Sequence, residues 1–239
     1  MTILETAMSA AAGEVLDWHP VKQPQPITIH GRVVSLVPLD VEAHARPLYE
    51  QTHGARCEEL WRYMSEGPFP SYAAFHTQLL RKAQSQDPLF FTVVGNTHAQ
   101  PLGLVALLRV ELAHRCIEVG SIIYTPALQR TVGATEAMYL LARYVFEELG
   151  YRRYEWKCNA LNDASRRAAL RLGFHFEGIF RQHMIIKGRN RDTAWFSMLD
   201  SEWPKRKANL ERWLAPSNFD ATGKQRSSLF ELNSVALAT

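Results

Sequence analysis

Two groups of polar residues in this chain have types and spacing that could support chemistry. The first is the run Gln129–Ala137, in which Gly133 and Ala134 lead straight into a predicted helix. A loop that opens into a helix presents backbone N–H groups without partners, and such groups bind phosphate. The second is Asn162 and Ser165, on the turn after the next predicted strand. Together they suggest an enzyme with a phosphate-bearing cosubstrate.

The elements that must position these residues are predicted from hydrophobic periodicity and turn residues. Seven strands are predicted, at residues 32–39, 88–94, 102–112, 116–124, 152–158, 174–184 and 193–199. Helices are predicted at residues 41–52, 72–84, 135–149 and 163–172, with the end of another at 209–215. Each polar group therefore follows a strand and precedes a helix.

The predicted order defines the fold class. The fourth strand, the helix at 135–149 and the fifth strand form a βαβ crossover, so these two strands should be parallel. The other strands should pair antiparallel. We therefore expect an α/β (α+β) fold with a mixed, mostly antiparallel seven-stranded sheet flanked by helices.

Composition indicates an ordinary globular protein. Of 239 residues 46% are hydrophobic and 21% are charged, which provides enough apolar material for a core. The net charge of +3 is small, and the basic clusters are short, so no nucleic-acid partner is expected. Residues 1–29 are predicted to be an N-terminal arm, residues 30–215 the folded domain and residues 216–239 a polar, loose C-terminal tail.

Cysteine usage and hydropathy set the remaining expectations. Cys57, Cys116 and Cys158 form no CxxC pair and are odd in number, which favours reduced thiols in a cytoplasmic protein. No Cys and His spacing resembles a metal site. The first twelve residues lack a basic segment typical of a signal peptide, and no apolar run approaches the roughly 20 residues of a membrane span.

The element order and motifs resemble the GNAT family of acetyl-CoA-dependent N-acetyltransferases, in particular its RimJ/RimL-type branch. The resemblance extends over about residues 31–203. The residues that carry it are Glu118-Val119-Gly120, Gln129–Ala137, Asn162-x-x-Ser165, Leu172-Gly173-Phe174 and Glu177-Gly178-x-x-Arg181. It implies direct transfer of an acetyl group from acetyl-CoA to a primary amine in a ternary complex. The acceptor would be a small molecule or a protein N-terminus, and a homodimer is compatible with it.

The resemblance also implies where acetyl-CoA binds. Pantetheine would lie where the two central parallel strands splay apart, and the pyrophosphate would meet the loop before the helix. The expected cofactor-binding residues are Ser121, Ile122, Ile123, Tyr124, Gln129, Arg130, Thr131, Val132, Gly133, Ala134, Thr135 and Asn162. Asn162 could alternatively cap the helix that follows it.

One residue departs from the family pattern. Family loops usually read Gln/Arg-x-x-Gly-x-Gly/Ala, and Val132 occupies the first glycine position here. Valine tolerates a positive φ poorly, so either the loop follows another path or its N–H is presented without a left-handed residue. This departure motivates an alternative function, a non-catalytic acyl-CoA-binding or regulatory module.

Two residues are candidates for proton transfer. Ser165 aligns with a hydroxyl that can protonate the departing thiolate. Glu118 lies on the fourth strand, spaced from Gln129 like the glutamate base of histone-type relatives. Alternatively, Glu118 is a structural carboxylate that pairs with an arginine on a neighbouring strand.

The acceptor pocket is expected around the segment that follows the first helix. Its aromatic residues could bind an amine through cation–π contacts or could simply be core. Glu177 and Arg181, four apart on the sixth strand, should share a face and form an ion pair or line the pocket. The residues expected at the pocket are Trp61, Tyr63, Phe69, Tyr72, Glu177, Arg181 and His183, the last with packing or surface exposure as its alternative.

Overall fold

The computed structural model describes residues 20–234 and folds them around one eight-stranded sheet. In chain order the strands are β1 (Ile29–His30), β2 (Val34–Pro38), β3 (Leu89–Gly95), β4 (Gln100–Glu111), β5 (Cys116–Tyr124), β6 (Arg153–Asn159), β7 (His175–Ile186) and β8 (Arg189–Leu199). Their order across the sheet is β1-β2-β3-β4-β5-β6-β8-β7. The strand beyond the predicted seven is β1, whose two residues are too few to give a sequence pattern.

The helices within residues 20–234 match the prediction more closely at their N-caps than at their C-terminal residues. They are α1 (Val41–Thr52), α2 (Tyr72–Ala83), α3 (Val132–Arg143), α4 (Asp163–Leu172), α5 (Trp203–Leu214) and α6 (Leu229–Ser234). Asp40, Ser71, Thr131 and Asn162 cap the first four, each accepting a hydrogen bond from an amide of the first turn. The 3₁₀ segment Ala55–Trp61 lies between α1 and α2.

Two hydrophobic clusters cover the two faces of the sheet. The larger cluster packs α3, α4 and α5 against one face. The smaller one packs α1, α2 and Trp61 against the other face of β3, β4 and β5. Tyr154, Trp156 and Cys158 of β6 point into the larger cluster, so strand alternation directs Glu155 and Lys157 to the opposite face. We call this opposite face of β5, β6 and β8 the open face.

The central crossover agrees with the prediction. β5 and β6 are parallel, α3 connects them, and each of the other neighbouring strand pairs is antiparallel. The parallel arrangement places the ends of β5 and β6, and the polar residues that follow both strands, at the same edge of the sheet.

The predicted loose C-terminal tail is wrong for the part that the structure describes. Leu229 is fully buried, and the Asn233 side chain donates to the Arg171 carbonyl at 2.9 Å. Arg206 donates in turn to the Asn233 carbonyl at 3.2 Å. Residues 216–234 therefore pack against α4 and α5, with Leu229 buried in the larger cluster and Phe219 and Leu232 partly buried against it.

The predicted arm lies only partly within the described residues. Residues 1–19 are outside them, whereas the segment from Pro20 onward packs on the domain. Lys22 donates its amide to the Leu149 carbonyl at 3.1 Å, and Ile29 is buried in β1. Among residues 20–234 no helix is long and apolar enough to cross a membrane.

Candidate active site

The two central parallel strands separate at their carboxyl ends. Their register pairs run from Cys116 with Arg153 to Val119 with Trp156 and then stop. Beyond Val119 β5 pairs only with β4, and beyond Trp156 β6 pairs only with β8. A gap therefore opens between β5 and β6, bordered by two strand edges whose backbone groups have no partner across it.

A β-bulge lies in β5 along this gap. Gly120 pairs with Ala106 and Ile123 pairs with Leu104, so two residues of β5 oppose one residue of β4. Ser121, the first of the two, has a φ of 50°, in the left-handed region that non-glycine residues seldom adopt. A bulge frees backbone groups from the ladder and redirects the strand. The backbone from Ser121 onward thus borders the gap with groups available to a ligand.

The loop before α3 is shorter than predicted. Thr131 is the N-cap, and its Oγ1 accepts from the Ala134 amide at 3.2 Å while donating to the Leu128 carbonyl at 2.7 Å. Val132 and Gly133 are thus the first two helical residues, and their amides have no intrahelical partner. The same residues and Thr131 line a cavity of about 430 Å³.

The unusual valine needs no left-handed backbone. Arg130 adopts the positive φ in this loop, at 61°, so Val132 is free to be helical. Of the two readings that the valine leaves open, the structure supports an N–H presented without a left-handed residue at that position. Valine at the first glycine position therefore does not prevent this loop from presenting its backbone N–H groups.

Thr135 lies one turn into α3. It is the fourth helical residue, so its amide is the first with an intrahelical acceptor. Its side chain is buried and accepts from Arg171 of α4 at 3.0 Å. A contact between Thr135 and the cofactor stays a prediction. The guanidinium of Arg171 nevertheless adds positive charge beside the first turn.

The polar pair after β6 lies at the other side of the gap. Asn162 caps α4 by accepting from the Ser165 amide through Oδ1 at 3.1 Å, which leaves its side-chain NH₂ group for another partner. Ser165 Oγ accepts from Trp156 Nε1 at 2.9 Å. That hydrogen bond uses a lone pair of the Ser165 oxygen. The hydroxyl hydrogen is directed to Cys158, whose pKa is raised by burial and lowered by this hydrogen bond. Trp156 is also the last β6 residue paired with β5, so Ser165 stands where the gap begins.

Glu118 is buried on the open face and ion-paired. Its Oε2 accepts from Arg109 of β4 at 2.5 Å and lies 3.0 Å from Lys157 Nζ of β6. Its Oε1 faces Gly120, the residue at which β5 leaves β6, at 3.4 Å from where a Cβ would be. Oε2 of Glu118 thus makes the ion pair with an arginine of a neighbouring strand that was the structural alternative for this residue. Oε1 lies next to the gap.

The ion pairs continue across the open face. Lys157 Nζ also lies 2.7 Å from Glu155, and Arg153 joins Glu155 to Glu177 of β7. The Arg153 guanidinium, with a hydrogen bond from Ser197, holds the pKa of Glu177 below its usual range. We call this alternating row, from Arg109 through Glu118, Lys157, Glu155 and Arg153 to Glu177, the charge ladder.

The predicted pairing of Glu177 with Arg181 is not observed. β7 has register irregularities between Phe176 and Gly178 and between Phe180 and Met184, so simple alternation fails along it. Glu177 pairs with Arg153 instead, and Arg181 is exposed.

The four aromatic residues expected at the acceptor pocket divide into two groups. Trp61, Phe69 and Tyr72 pack in the smaller cluster, although Trp61 and Phe69 also border a narrow space with Ser121. Tyr63 is half-buried, and its hydroxyl donates to the Leu161 carbonyl at 3.0 Å, beside Asn162. The segment after α1 therefore reaches across to the loop that follows β6.

His183 lies by the open face on β7. Its Nδ1 is 3.0 Å from Thr193 Oγ1, and its ring contacts Phe180 and Trp195. Trp195 holds the ammonium of Lys157 3.8 Å above its ring centroid. Sequence reasoning missed Lys157, Arg109 and Trp195. Only Lys157 had a usable signal, since it alternates with buried apolar residues on β6. No cluster of potential metal ligands exists within residues 20–234.

Comparison with known proteins agrees with this geometry. Residues 34–175, more than half of the chain, match the family model described as an acetyltransferase (GNAT) domain. A GCN5-related N-acetyltransferase from Brucella melitensis superposes with a TM-score of 0.89 and 46% identity, over 91% of this chain and 99% of that one. A probable GNAT-family acetyltransferase from Chromobacterium violaceum superposes with a TM-score of 0.75 and 40% identity, over 81% and 96%.

Among curated proteins, the chain is similar to one from Bacillus subtilis provisionally named ribosomal N-acetyltransferase YdaF. The identity is 30% over 101 residues, which is 42% of this chain and 55% of that protein. The match thus spans about half the length of this curated relative. Taken with the family model, the gap between β5 and β6 and the helix start beside it, these findings show that the chain belongs to the GNAT acetyltransferase family and resembles its RimJ/RimL-type branch.

Proposed function

We propose that this protein transfers an acetyl group from acetyl-CoA to a primary amine by direct attack within a ternary complex. The observation that carries the proposal is the separation of β5 and β6 beyond Val119 and Trp156. This gap is bordered on one side by amides at the start of α3 that have no intrahelical partner and on the other by the Ser165 hydroxyl. No covalent intermediate is required, because the gap can hold both reactants together.

Acetyl-CoA would bind as an added strand along β5. Pantetheine would pair with the backbone from Ser121 to Tyr124, where β5 has no strand partner on the β6 side. The pyrophosphate would accept hydrogen bonds from the amides of Val132 and Gly133, with Arg130 beside them. The side-chain NH₂ of Asn162 would donate to pantetheine from across the gap.

Ser165 would protonate the leaving thiolate. Trp156 fixes the position of its oxygen at 2.9 Å, and the hydroxyl hydrogen can then turn toward the gap. A positioned acid of this kind contributes through proton transfer in the transition state.

Glu118 would take the amine proton through a bound water. Arg109 and Lys157 fix the position of its Oε2, and Oε1 at the edge of Gly120 would hold the water. Attack of the neutral amine on the thioester carbonyl gives a tetrahedral oxyanion, whose collapse expels CoA as a thiolate. The proton lost by the amine passes through the water to Glu118, which releases it to solvent. The thiolate gains a proton from Ser165, and Ser165 regains one from solvent, so the protons balance.

The test is CoA release from acetyl-CoA with a panel of amines, combined with calorimetric binding of acetyl-CoA. We expect Ser165→Ala to lower kcat by about 100-fold while acetyl-CoA binding is retained, because only the proton donor is removed. Ser201→Ala, an exposed serine outside the site, is the matched control. Absence of acetyl-CoA binding by the wild-type protein would end the proposal.

A non-catalytic acyl-CoA-binding module remains a second candidate function. The observation that favours it is the double ion pair of Glu118, which is the geometry of a structural carboxylate. This candidate predicts acetyl-CoA binding without turnover of any amine, and a sharp loss of a measured rate in Glu118→Gln or Ser165→Ala excludes it.

A further inference from the structure

One arginine on the open face has no anion partner. Arg191 lies on β8 opposite Met184 of β7, two residues before Thr193, so alternation places it on the face of Thr193 and Trp195. Its Nε is buried and has no hydrogen-bond partner. Within residues 20–234 no carboxylate lies within 4.0 Å of its guanidinium, so its charge is uncompensated by a direct contact.

The guanidinium of Arg191 lies near the gap. Burial lowers its pKa, and the nearby Cys158 and Glu118 raise it while Arg109 lowers it. These neighbours belong to the end of β6, to β5 and to β4, the strands around the gap. Arg191 therefore faces the same space as the charge ladder, from the β8 side.

The carboxylates of the charge ladder are already committed to other cations. Glu118 is shared by Arg109 and Lys157, and Glu155 is shared by Lys157 and Arg153. On the gap side of the open face, the cations thus outnumber the carboxylates by one, and the additional cation is Arg191. Arg191 is half-buried, and its Nε is desolvated without a partner, so a ligand that supplies an anion to this guanidinium would gain binding free energy.

A second buried donor on the same strand has no partner either. Trp195 Nε1 is unpaired, and the Trp195 ring lies 4.4 Å from that of Phe180, centroid to centroid. The open face therefore offers unpartnered N–H groups next to an aromatic surface. This arrangement suits an anion with an apolar body, and it repels a polycation.

We propose that Arg191 binds a carboxylate of the acceptor, so that the acceptor is an amine with a nearby carboxylate, such as a free amino acid. This inference rests on the proposed acetyl transfer. The planar guanidinium can grip a carboxylate with two parallel hydrogen bonds, which would orient the amine toward the gap. The pyrophosphate of acetyl-CoA is not the anion in question, because its site at the start of α3 adjoins the opposite face of the sheet.

The experiment measures kcat/KM by CoA release for sets of three acceptors that share a side chain. Each set contains a common α-amino acid, its carboxamide and its decarboxylated amine. For Arg191→Gln we expect kcat/KM to fall by about 30-fold or more with the preferred acid, and to change little with its carboxamide and amine. Arg189→Gln, an exposed arginine on the same strand, is the matched control and should behave like the wild-type protein.

Each other result contradicts the inference in a recognisable way. An equal loss for all three acceptors would assign Arg191 to the thioester oxygen instead of the acceptor. A wild-type preference for carboxamides or simple amines, which needs no variant to measure, would overturn the carboxylate assignment. So would bound acetyl-CoA with no turnover of any acid. Failure to bind acetyl-CoA would remove the proposed function and this inference together, and calorimetry separates that result from the others.

Discussion

At the scale of single residues, the site depends on how buried charges are shared. Lys157 is almost fully buried and lies between Glu118 and Glu155, with the ring of Trp195 beneath its ammonium. A buried cation shared by two carboxylates offsets the cost of removing each carboxylate from water. If the cation were lost, water would not take its place. Lys157 is therefore the residue on which both the shape of the open face and the position of the Glu118 carboxylate depend.

Lys157→Met should destabilise the protein strongly. Removing the ammonium leaves the carboxylates of Glu118 and Glu155 facing each other without the cation that they share. Breaking a buried ion pair in this way costs about 3–5 kcal/mol of stability. The free energy of unfolding measured in urea is the readout, with the exposed Lys224→Met as the control. A loss below about 1 kcal/mol, the range of surface pairs, would mean that solvent reaches this pair.

At the scale of elements, the N-terminus of α3 shows what sequence patterns can and cannot predict. The helix and its crossover were predictable, because its apolar stripe is strong. Its start was predicted three residues late, since valine and glycine are weak helix formers. The signal that was available is Thr131, a good N-cap directly before them.

Other local features depend on pairing that no single segment encodes. The bulges of β7 gave Glu177 a partner on β6 in place of Arg181 on its own strand. Arg191 owes its place to the β7–β8 hairpin and to the point where β6 ends. Residues whose environment is set by strand register are therefore found by structure, whereas residues that follow strands, such as Asn162 and Ser165, are found by sequence.

Gly133 is the element-scale test of the phosphate site. A Cβ at this position would lie 2.8 Å from Val34 Cγ1 of β2, so Gly133→Ala must shift the start of α3 away from the sheet. We expect acetyl-CoA affinity to fall about tenfold, a cost of about 1.4 kcal/mol in binding free energy. Calorimetric titration measures it.

A control variant separates that shift from helix propensity. Alanine is a better helix former than glycine, so propensity alone predicts a neutral or favourable change. The double variant Gly133→Ala with Val34→Ala relieves the contact and should recover much of the lost affinity. Unchanged affinity in the single variant would remove the first turn of α3 from the proposed cofactor site.

At the scale of the whole molecule, the charge ladder joins five strands on the part of their sheet face that α1 and α2 leave uncovered. It runs from Arg109 on β4 to Glu177 on β7, with Ser197 on β8 completing it. The covered face supplies the apolar core, and the ladder fixes the strands on either side of the gap relative to one another. The gap can therefore stay open without backbone hydrogen bonds across it.

This arrangement predicts how stability responds to acid. The pKa of Glu177 is lowered in the folded protein by its hydrogen bonds from Arg153 and Ser197, and the pKa of Glu155 is also lowered, against its burial, by Lys157 and Arg153. A lowered folded-state pKa contributes stability above the ordinary value near 4.5, and that stability is lost as pH falls through the folded value. We expect the Tm of the wild-type protein to drop steeply below about pH 4.5, and Glu177→Gln to flatten this drop while lowering the Tm at neutral pH. Thermal melts of both proteins across this range are the measurement, and parallel curves would show that Glu177 has the same pKa folded and unfolded.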